Sequence, residues 1–311
     1  MPVVSVVIVN WNVRDLLRKC LESLPGALAL PEATVTFETI VVDNGSRDGS
    51  VEMLRETFRN VQLIQPGENT GFSRGNNIGI EASSGQYVLI LNPDTEALPG
   101  SIARLVQYME AHPTVGVAGP QLLNEDGSVQ SSRRRFPSLM TAFFESTWLQ
   151  PLAPRGMLRW YYMLDIDDSA ETAVDWLQGA ALLVRREAIN DAGMFDERFF
   201  MYSEELDWQR RMKAAGWNII YLPSAKIIHY GGRSSDQVVA QKHIHFQTSK
   251  IRYFTKHHGR LAGVSLRLFL LANYAAQLVL EAAKSLVGHK RALRQERIAA
   301  YLQVLRSGLK G

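Results

Sequence analysis

Between residues 3 and 118, short aliphatic runs alternate with segments whose apolar positions recur at helical spacing. The runs at 3–9, 37–42, 61–65, 86–91 and 115–118 predict strands, and the segments at 13–24, 48–58, 73–83 and 99–111 predict helices. This βαβ alternation implies a parallel sheet, and strands so uniformly aliphatic imply burial on both faces. Asn12 stands where an N-cap for helix 13–24 belongs, with Asp15 three residues on; helix 99–111 begins beside Pro99 and is closed by His112-Pro113. Residues 120–172 show no clear period, and Gly127, Pro137, Pro151 and Pro154 interrupt a mixture of aromatic and basic residues. That stretch predicts a loop-rich insertion able to cover a site. Order returns with a strand over 174–184, helices over 186–192 and 203–215, and closing strands at 217–222 and 225–229. Beyond residue 238 only helix is expected; within it Asn273, Gln277 and Glu281 recur every fourth residue as one narrow polar stripe on a nearly apolar surface.

Composition changes this picture little. The 311 residues, 46% hydrophobic and 21% charged, describe an ordinary globular protein with one large domain and an appendage. A formal charge of +3 gives no argument for nucleic acid, although the last third of the chain is visibly more basic than the rest. The single cysteine, Cys20, excludes an internal disulfide framework and a cysteine-rich zinc site; it lies with Leu16, Leu17, Leu21 and Leu24 at helical spacing, as a core residue would. The opening residues lack a basic region and their apolar stretch is only strand length, so a cytosolic active domain without signal peptide is expected.

Candidate chemistry sits where strands end. Asp94 follows Val88–Leu91 through Asn92-Pro93, and open α/β sheets bind ligands beyond their strand carboxyl ends. A carboxylate there suits a hard divalent cation, which a nucleotide diphosphate would help to hold. Glu96 is either a more distant ligand or an exposed loop residue. His229 ends the last apolar strand and is a second candidate ligand, the alternative being a structural histidine. Asp43 precedes the turn Asn44-Gly45-Ser46 near Asn10-Trp11-Asn12; its carboxylate either accepts from a pyrimidine base or ribose hydroxyl or caps the helix beginning near Arg47. The loop from Asn69 to Gly79 offers Gly71, Gly75, Gly79 and Arg74 leading into a helix, a pattern that admits a phosphate and equally one whose glycines serve turns. Glu204, Glu205 and Asp207 open a helix among aromatic residues; crowded carboxylates raise one another's pKa, as a general base needs, and the alternative is an acidic cap of a solvated helix.

In this order and spacing the segments resemble the family 2 glycosyltransferases of GT-A fold, particularly rhamnosyltransferase-like bacterial members, over about residues 3–235. The likeness rests on Ser5–Asn12, Val41–Ser50, the Asn69–Gly79 loop, Leu91-Asn92-Pro93-Asp94, Trp176–Ala180, and Phe195–Phe200 running into Glu204–Trp208. It implies an α/β GT-A fold, Rossmann-like with a mostly parallel central sheet flanked by helices. Residues 1–237 would form the nucleotide-sugar-binding and catalytic domain, and 238–311 an α-helical extension that contacts membrane or dimerises. It further implies that Asp43 binds the pyrimidine base of a nucleotide-sugar and that Asp94 and His229 hold Mg²⁺ or Mn²⁺. The donor site would draw on Asn10, Asn12, Asn69, Gly71, Arg74, Asn77, Asn92, Trp176, Gln178 and Gly179. The family's catalytic carboxylate corresponds to Glu205, with Glu204 as rival because this chain carries Glu where Asp is usual. Two further departures are Asn92 in place of a first aspartate and Asn76 in place of an arginine facing the diphosphate, a part left to Arg74.

The expected reaction is an inverting transfer to a hydroxyl, with dTDP-rhamnose as first donor and a UDP-hexose as second. A catalytically silent sugar-nucleotide-binding or scaffold protein is the competing reading. The helical tail bears on the acceptor. Its apolar stretch 266–283 would span about 27 Å, yet Asn273, Gln277 and Glu281 are costly at a bilayer centre. Flanking Arg260, Arg267, Lys284, Lys290, Arg291, Arg294 and Arg297 favour an interfacial position on anionic lipid at the inner face of the plasma membrane, through 260–297. Packing within the chain or a homodimer is the alternative. On a membrane, a polyprenyl-linked glycan is the natural acceptor, and Arg133-Arg134-Arg135 would reach its phosphates unless they form a solvated loop.

Overall fold

The computed structural model describes residues 2–232, 235–286 and 291–310. In chain order the first part comprises β1 (Val4–Asn10), α1 (Arg14–Ala27), the short pair β2 (Ala29–Leu30) and β3 (Ala33–Thr34), β4 (Phe37–Asp43), α2 (Ser50–Thr57), β5 (Val61–Ile64), α3 (Gly71–Glu81), β6 (Tyr87–Leu91), β7 (Thr95–Ala97), α4 (Ser101–Ala111) and β8 (Val115–Leu123). Then follow β9 (Val129–Gln130), β10 (Arg133–Arg134), α5 (Leu139–Phe144), α6 (Met157–Tyr161), β11 (Thr172–Ala173), β12 (Trp176–Leu177), β13 (Ala181–Arg185), α7 (Arg186–Ala192), α8 (Glu204–Ala214) and β14 (Asn218–His229). Helices α9 (Val239–His258), α10 (Arg260–Leu286) and α11 (Arg291–Ser307) complete the chain.

The main sheet runs β11-β14-β8-β13-β6-β1-β4-β5. Neighbours β6, β1, β4 and β5 are parallel, as are β8 and β14. Strand β13 inserts antiparallel between β6 and β8, so the sheet is mixed although mostly parallel. The aliphatic strands are buried on both faces because helices cover each. On one face Leu17, Leu21 and Leu24 of α1 pack with Ile102 and Leu105 of α4, and Cys20 lies fully buried among them. On the other, Ile80 of α3, Ile189 of α7 and Trp208 and Met212 of α8 pack against Val7, Val88 and Val184.

Several local expectations change. Asn12 does not cap α1: it adopts a left-handed φ of 53° and its Oδ1 accepts from Arg47 N, while Asp48 Oδ2 accepts the Arg14 amide at 2.7 Å. A side chain 34 residues away thus caps the helix, which no local pattern announces. The strand expected over 174–184 is two pieces, β12 and β13, with β11 just before it. The two closing strands are one, β14, whose register shifts between Leu222 and Lys226; this bulge takes up Pro223, which has no amide hydrogen to give the ladder. The insertion after 120 is also less irregular than its composition implies, since β8 continues to Leu123 and α5 and α6 follow.

The chain divides into two compact units. The sheet unit comprises residues 1–136, 162–200 and 204–234; the helical unit comprises 137–161, 201–203 and 235–311, and so draws in α5 and α6 as well as the tail. Within the helical unit the polar stripe of α10 faces inward. Asn273 and Glu281 are buried, Glu281 Oε2 accepts from Arg294 at 2.5 Å, and the Tyr274 hydroxyl meets His243 Nδ1 at 3.1 Å. Arg294 is therefore engaged inside the unit; Lys290 lies outside the described residues.

Candidate active site

Three groups of side chains gather at strand ends of the sheet unit. At the β1–β4 end, Asp43 is buried and its position is fixed twice: Asn10 Nδ2 donates to Oδ2 at 2.9 Å and Ser46 N to Oδ1 at 2.8 Å. Ser46 Oγ also accepts from Asn12 N at 3.0 Å, so the two strand ends form one polar cup. Within it Asn10 Oδ1 is buried with no partner. An uncompensated buried acceptor is costly and points to a group that supplies a donor. Asn44 continues the cup, accepting from Thr70 Oγ1 at 2.9 Å and donating to the Gly71 carbonyl at 3.0 Å.

The second group is Asp94 with His229. Strand β7 pairs antiparallel with β14, setting Thr95 opposite His229, and Tyr230 N donates to the Asp94 carbonyl at 2.9 Å. Asp94 Oδ1 and His229 Nε2 lie 3.4 Å apart, both side chains more than nine-tenths buried. Asn92 Nδ2 is 3.5 Å from the same nitrogen. The ring is oriented by Gln130, whose Oε1 meets Nδ1 at 2.7 Å while its Nε2 donates to Asn124 Oδ1 at 3.0 Å. With Oε1 accepting, the Nδ1 proton is defined and Nε2 turns a lone pair toward a carboxylate. Two electron-rich atoms at that separation call for a proton or a cation between them. A hard cation bound at about 2.0–2.2 Å from each atom would span the gap, and one imidazole with one carboxylate is a donor set that Mg²⁺ and Mn²⁺ accept when phosphate and water supply the rest. Among the described residues no cluster of three or more His, Cys, Asp or Glu offers a fuller protein cage.

The third group opens α8. Glu204 and Glu205 each carry a buried Oε2 without a partner. Burial drives both carboxyls above the usual carboxylate range, and the neighbouring Glu205 raises Glu204 further, well above it. Glu205 is raised less, because the amides of Glu205, Gly179 and Leu206 and the charge of Arg134 favour its ionised form. The two carboxyls thus separate in character: Glu204 keeps a proton and Glu205 loses its own first. Asp207 is not part of this set, since its carboxylate is fully buried against Arg211 Nε at 2.9 Å. That guanidinium also ties the Ala192 and Met194 carbonyls to the helix.

One turn joins the second and third groups. Gly179 lies so close that a Cβ on it would stand 3.4 Å from Glu205 Cβ, and the next residue, Ala180, accepts the Asn92 amide through its carbonyl at 2.9 Å. Gln209 holds the turn to α8, accepting from Leu177 N at 2.8 Å and donating to the carbonyls of Leu177 at 2.7 Å and Glu205 at 3.0 Å. Gln178 N donates to the Ser132 carbonyl and Trp176 Nε1 to the Arg135 carbonyl, so β12 lies on β10 with Trp176 half-buried.

Other expected site residues have structural duties. Both amide hydrogens of Asn77 go to Phe195 O and Glu197 Oε1, and its oxygen accepts from Phe195 N; it fastens the 195–197 segment to α3. Asn76 Nδ2 returns to Phe72 O one turn back. The loop glycines serve close packing. A Cβ on Gly79 would stand 2.3 Å from Val7 Cγ1, one on Gly75 2.9 Å from Val9 Cγ1, and one on Gly71 2.5 Å from the Phe200 carbonyl. Asn69 Oδ1 accepts from Gly71 N at 3.0 Å, and Arg74 is exposed. The triple-arginine run is no solvated loop: Arg133 is buried on the Ile166 and Asp167 carbonyls and Asp168, and Arg135 pairs with Asp165.

A mostly parallel sheet flanked by helices, with polar groups collected at its strand ends, is the architecture of the GT-A glycosyltransferases. The chain belongs to glycosyl transferase family 2, whose family model matches residues 5–176. Among curated proteins it is 33% identical over 270 residues to the N-acetylglucosaminyl-diphospho-decaprenol L-rhamnosyltransferase of Mycobacterium tuberculosis, covering 83% of this chain and 86% of that one. It is 23% identical over 269 residues to the rhamnosyltransferase WbbL of Escherichia coli K12, covering 81% and 93%. Among solved structures, the mannosyltransferase PcManGT of Pyrobaculum calidifontis in complex with GDP-Man and Mn²⁺ superposes with a TM-score of 0.57 at 17% identity, over 99% of this chain and 86% of that one. The protein is a glycosyltransferase with a GT-A fold.

Proposed function

We propose that this enzyme transfers rhamnose from dTDP-rhamnose to a hydroxyl of a polyprenyl-diphosphate-linked glycan at the cytosolic face of the membrane, inverting the anomeric carbon. The observation that carries the reading is the 178–180 turn, which sets Glu205 on one side and Asn92 with Asp94 on the other. The chain's likeness to the mycobacterial N-acetylglucosaminyl-diphospho-decaprenol L-rhamnosyltransferase supports the choice of donor sugar and lipid-linked acceptor.

In this reading Asp43 and Asn10 take the base of the donor, with Asn10 Oδ1 receiving the donor that it lacks. Asp94 and His229 would hold Mg²⁺ or Mn²⁺, with Gln130 keeping the imidazole in the ligating tautomer. When bound there, such a cation would supply positive charge against the diphosphate leaving group. Glu205 takes the proton of the acceptor hydroxyl as that oxygen attacks the anomeric carbon from the face opposite the leaving group. Glu204, protonated beside it, spares Glu205 a second negative charge and so favours its ionised form. Incubation with dTDP-rhamnose, Mn²⁺ and an N-acetylglucosaminyl-diphospho-polyprenol tests the assignment. The expected result is acceptor-dependent release of dTDP and a rhamnosyl product of inverted configuration. Absence of dTDP release, or faster turnover of a UDP-hexose, would overturn the donor assignment.

A further inference from the structure

The two units differ sharply in charge. The helical unit holds 15 Lys and Arg against 4 Asp and Glu, net +11, whereas the sheet unit holds 19 against 27, net −8, which together give the chain's +3. The most apolar helix lies in the basic unit. Helix α10 is long and apolar enough to cross a membrane, with 28% of its most apolar window buried. Its side chains are sorted the wrong way for water: Asn273 and Glu281 point inward, while Leu261, Val264, Leu268, Val279, Leu280 and Leu286 are exposed, Leu261 by 84% and Leu286 by 89%. At about 100° per residue, Leu261, Val264, Leu268, Val279 and Leu286 fall within an arc of about 60°. The intervening positions on that arc are Ala275, which is exposed, and Ala282, which is half-buried, so no charge interrupts the stripe. Helix α5 packs beside α10 through Phe143 on Phe269, and its segment exposes Trp148, Leu152 and Trp160 together with Arg155.

We infer that the apolar face of α10 lies flat on the surface of an anionic phospholipid bilayer, and that the aromatic segment 139–161 adds interfacial anchors. A spanning orientation would put Asn273 and Glu281 into hydrocarbon and strip Glu281 from Arg294, so the helix lies on the membrane instead of crossing it. Lipid fits this face better than a second copy does. Two copies would bring two units of +11 together, whereas anionic headgroups neutralise that charge, and exposed tryptophans favour a headgroup interface. The inference goes beyond the catalytic reading and does not require it, since lipid binding is measured without substrate.

Flotation of the full chain tests it, with vesicles of phosphatidylcholine alone or with roughly 30% phosphatidylglycerol. The wild type should float with the anionic vesicles and not with the neutral ones, and less as salt rises. Replacing three residues of the stripe by Val264→Gln, Leu268→Gln and Val279→Gln should lower the bound fraction at least about ten-fold. Arg260→Gln and Lys284→Gln should each lower it by about five-fold. Circular dichroism and the thermal midpoint should stay unchanged, because these side chains touch solvent; the salt series on the wild type stands even if a variant misfolds. Equal flotation with neutral vesicles, no flotation, or full flotation of the triple variant overturns the inference. A dimer in free solution that the triple substitution dissolves also overturns it and assigns the face to a second copy.

Discussion

Glu204 and Glu205 differ by one position in sequence and, on this account, by everything in function. Changing Glu205 to Gln removes the proton acceptor while keeping shape, and general-base assistance is typically worth about 10²–10⁴-fold, or about 3–5 kcal/mol of barrier. Changing Glu204 to Gln imitates the protonated acid that burial and its neighbour impose, so turnover should stay within about three-fold of wild type near neutral pH. Because the Glu205 pKa is itself raised, kcat should climb with pH through a value above the ordinary carboxylate range and then level. The assay is acceptor-dependent release of nucleoside diphosphate at saturating donor, with nucleotide affinity measured separately. Glu205→Gln should lose turnover and keep that affinity. Equal losses in the two variants, or more than a tenth of wild-type turnover in Glu205→Gln, would refute the division of roles.

Other consequences follow from the same contacts. Gln130→Leu frees the His229 ring, so the Mn²⁺ concentration for half-maximal rate should rise by about 10–100-fold; an unchanged requirement would remove Gln130 from the site. Glu204 has a folded pKa above its unfolded value, so its favourable contribution to stability is complete below about pH 4.5 and is lost as pH rises toward the folded pKa. Glu204→Gln should therefore raise the thermal midpoint at pH 8 and leave it nearly unchanged at pH 4, and the opposite pH dependence would contradict the buried acid. Gly79→Ala gains about 1 kcal/mol of helix propensity but forces a methyl onto Val7, an overlap costing about 1–3 kcal/mol. A lowered urea midpoint is expected; a more stable variant would show that α3 is not in contact with β1 as described.

What was legible in the sequence was what local pattern controls. The alternation of aliphatic runs and helical segments placed β1, β4, β6 and β8 and the helices between them, because burial on both faces leaves a continuous apolar signature. Asp94 and His229 were singled out as strand-end residues, and β7 pairing with β14 brings them together. The missing parts are set by contacts between distant residues. Gln130 meets His229 at a separation of 99, Gln209 meets Leu177 at 32, and Asp48 reaches across 34 to cap α1, each with a side chain that looks ordinary in its own segment. The antiparallel insertion of β13 is likewise invisible, since an apolar run does not declare its direction. The glycines of α3 left two readings open for a related reason: a glycine that admits a phosphate and one that admits a valine are the same letter, and only the fold shows Val7 and Val9 against them. The stripe of Asn273 and Glu281 shows the helical period but not its facing, which Arg294 fixes by pulling Glu281 inward.

The central claim is that Asp94 and His229 complete a donor site through a divalent cation. The most direct measurement is the thermal midpoint with dTDP-rhamnose, with and without Mn²⁺, for the wild type and Asp94→Ala. Donor at about a hundred times its dissociation constant should stabilise the wild type by about 2.7 kcal/mol, a rise of about 4 °C at roughly 2.1 cal/mol/K of unfolding entropy per residue, only when Mn²⁺ is present and not in Asp94→Ala. An equal rise without metal, or an undiminished rise in Asp94→Ala, would contradict the account.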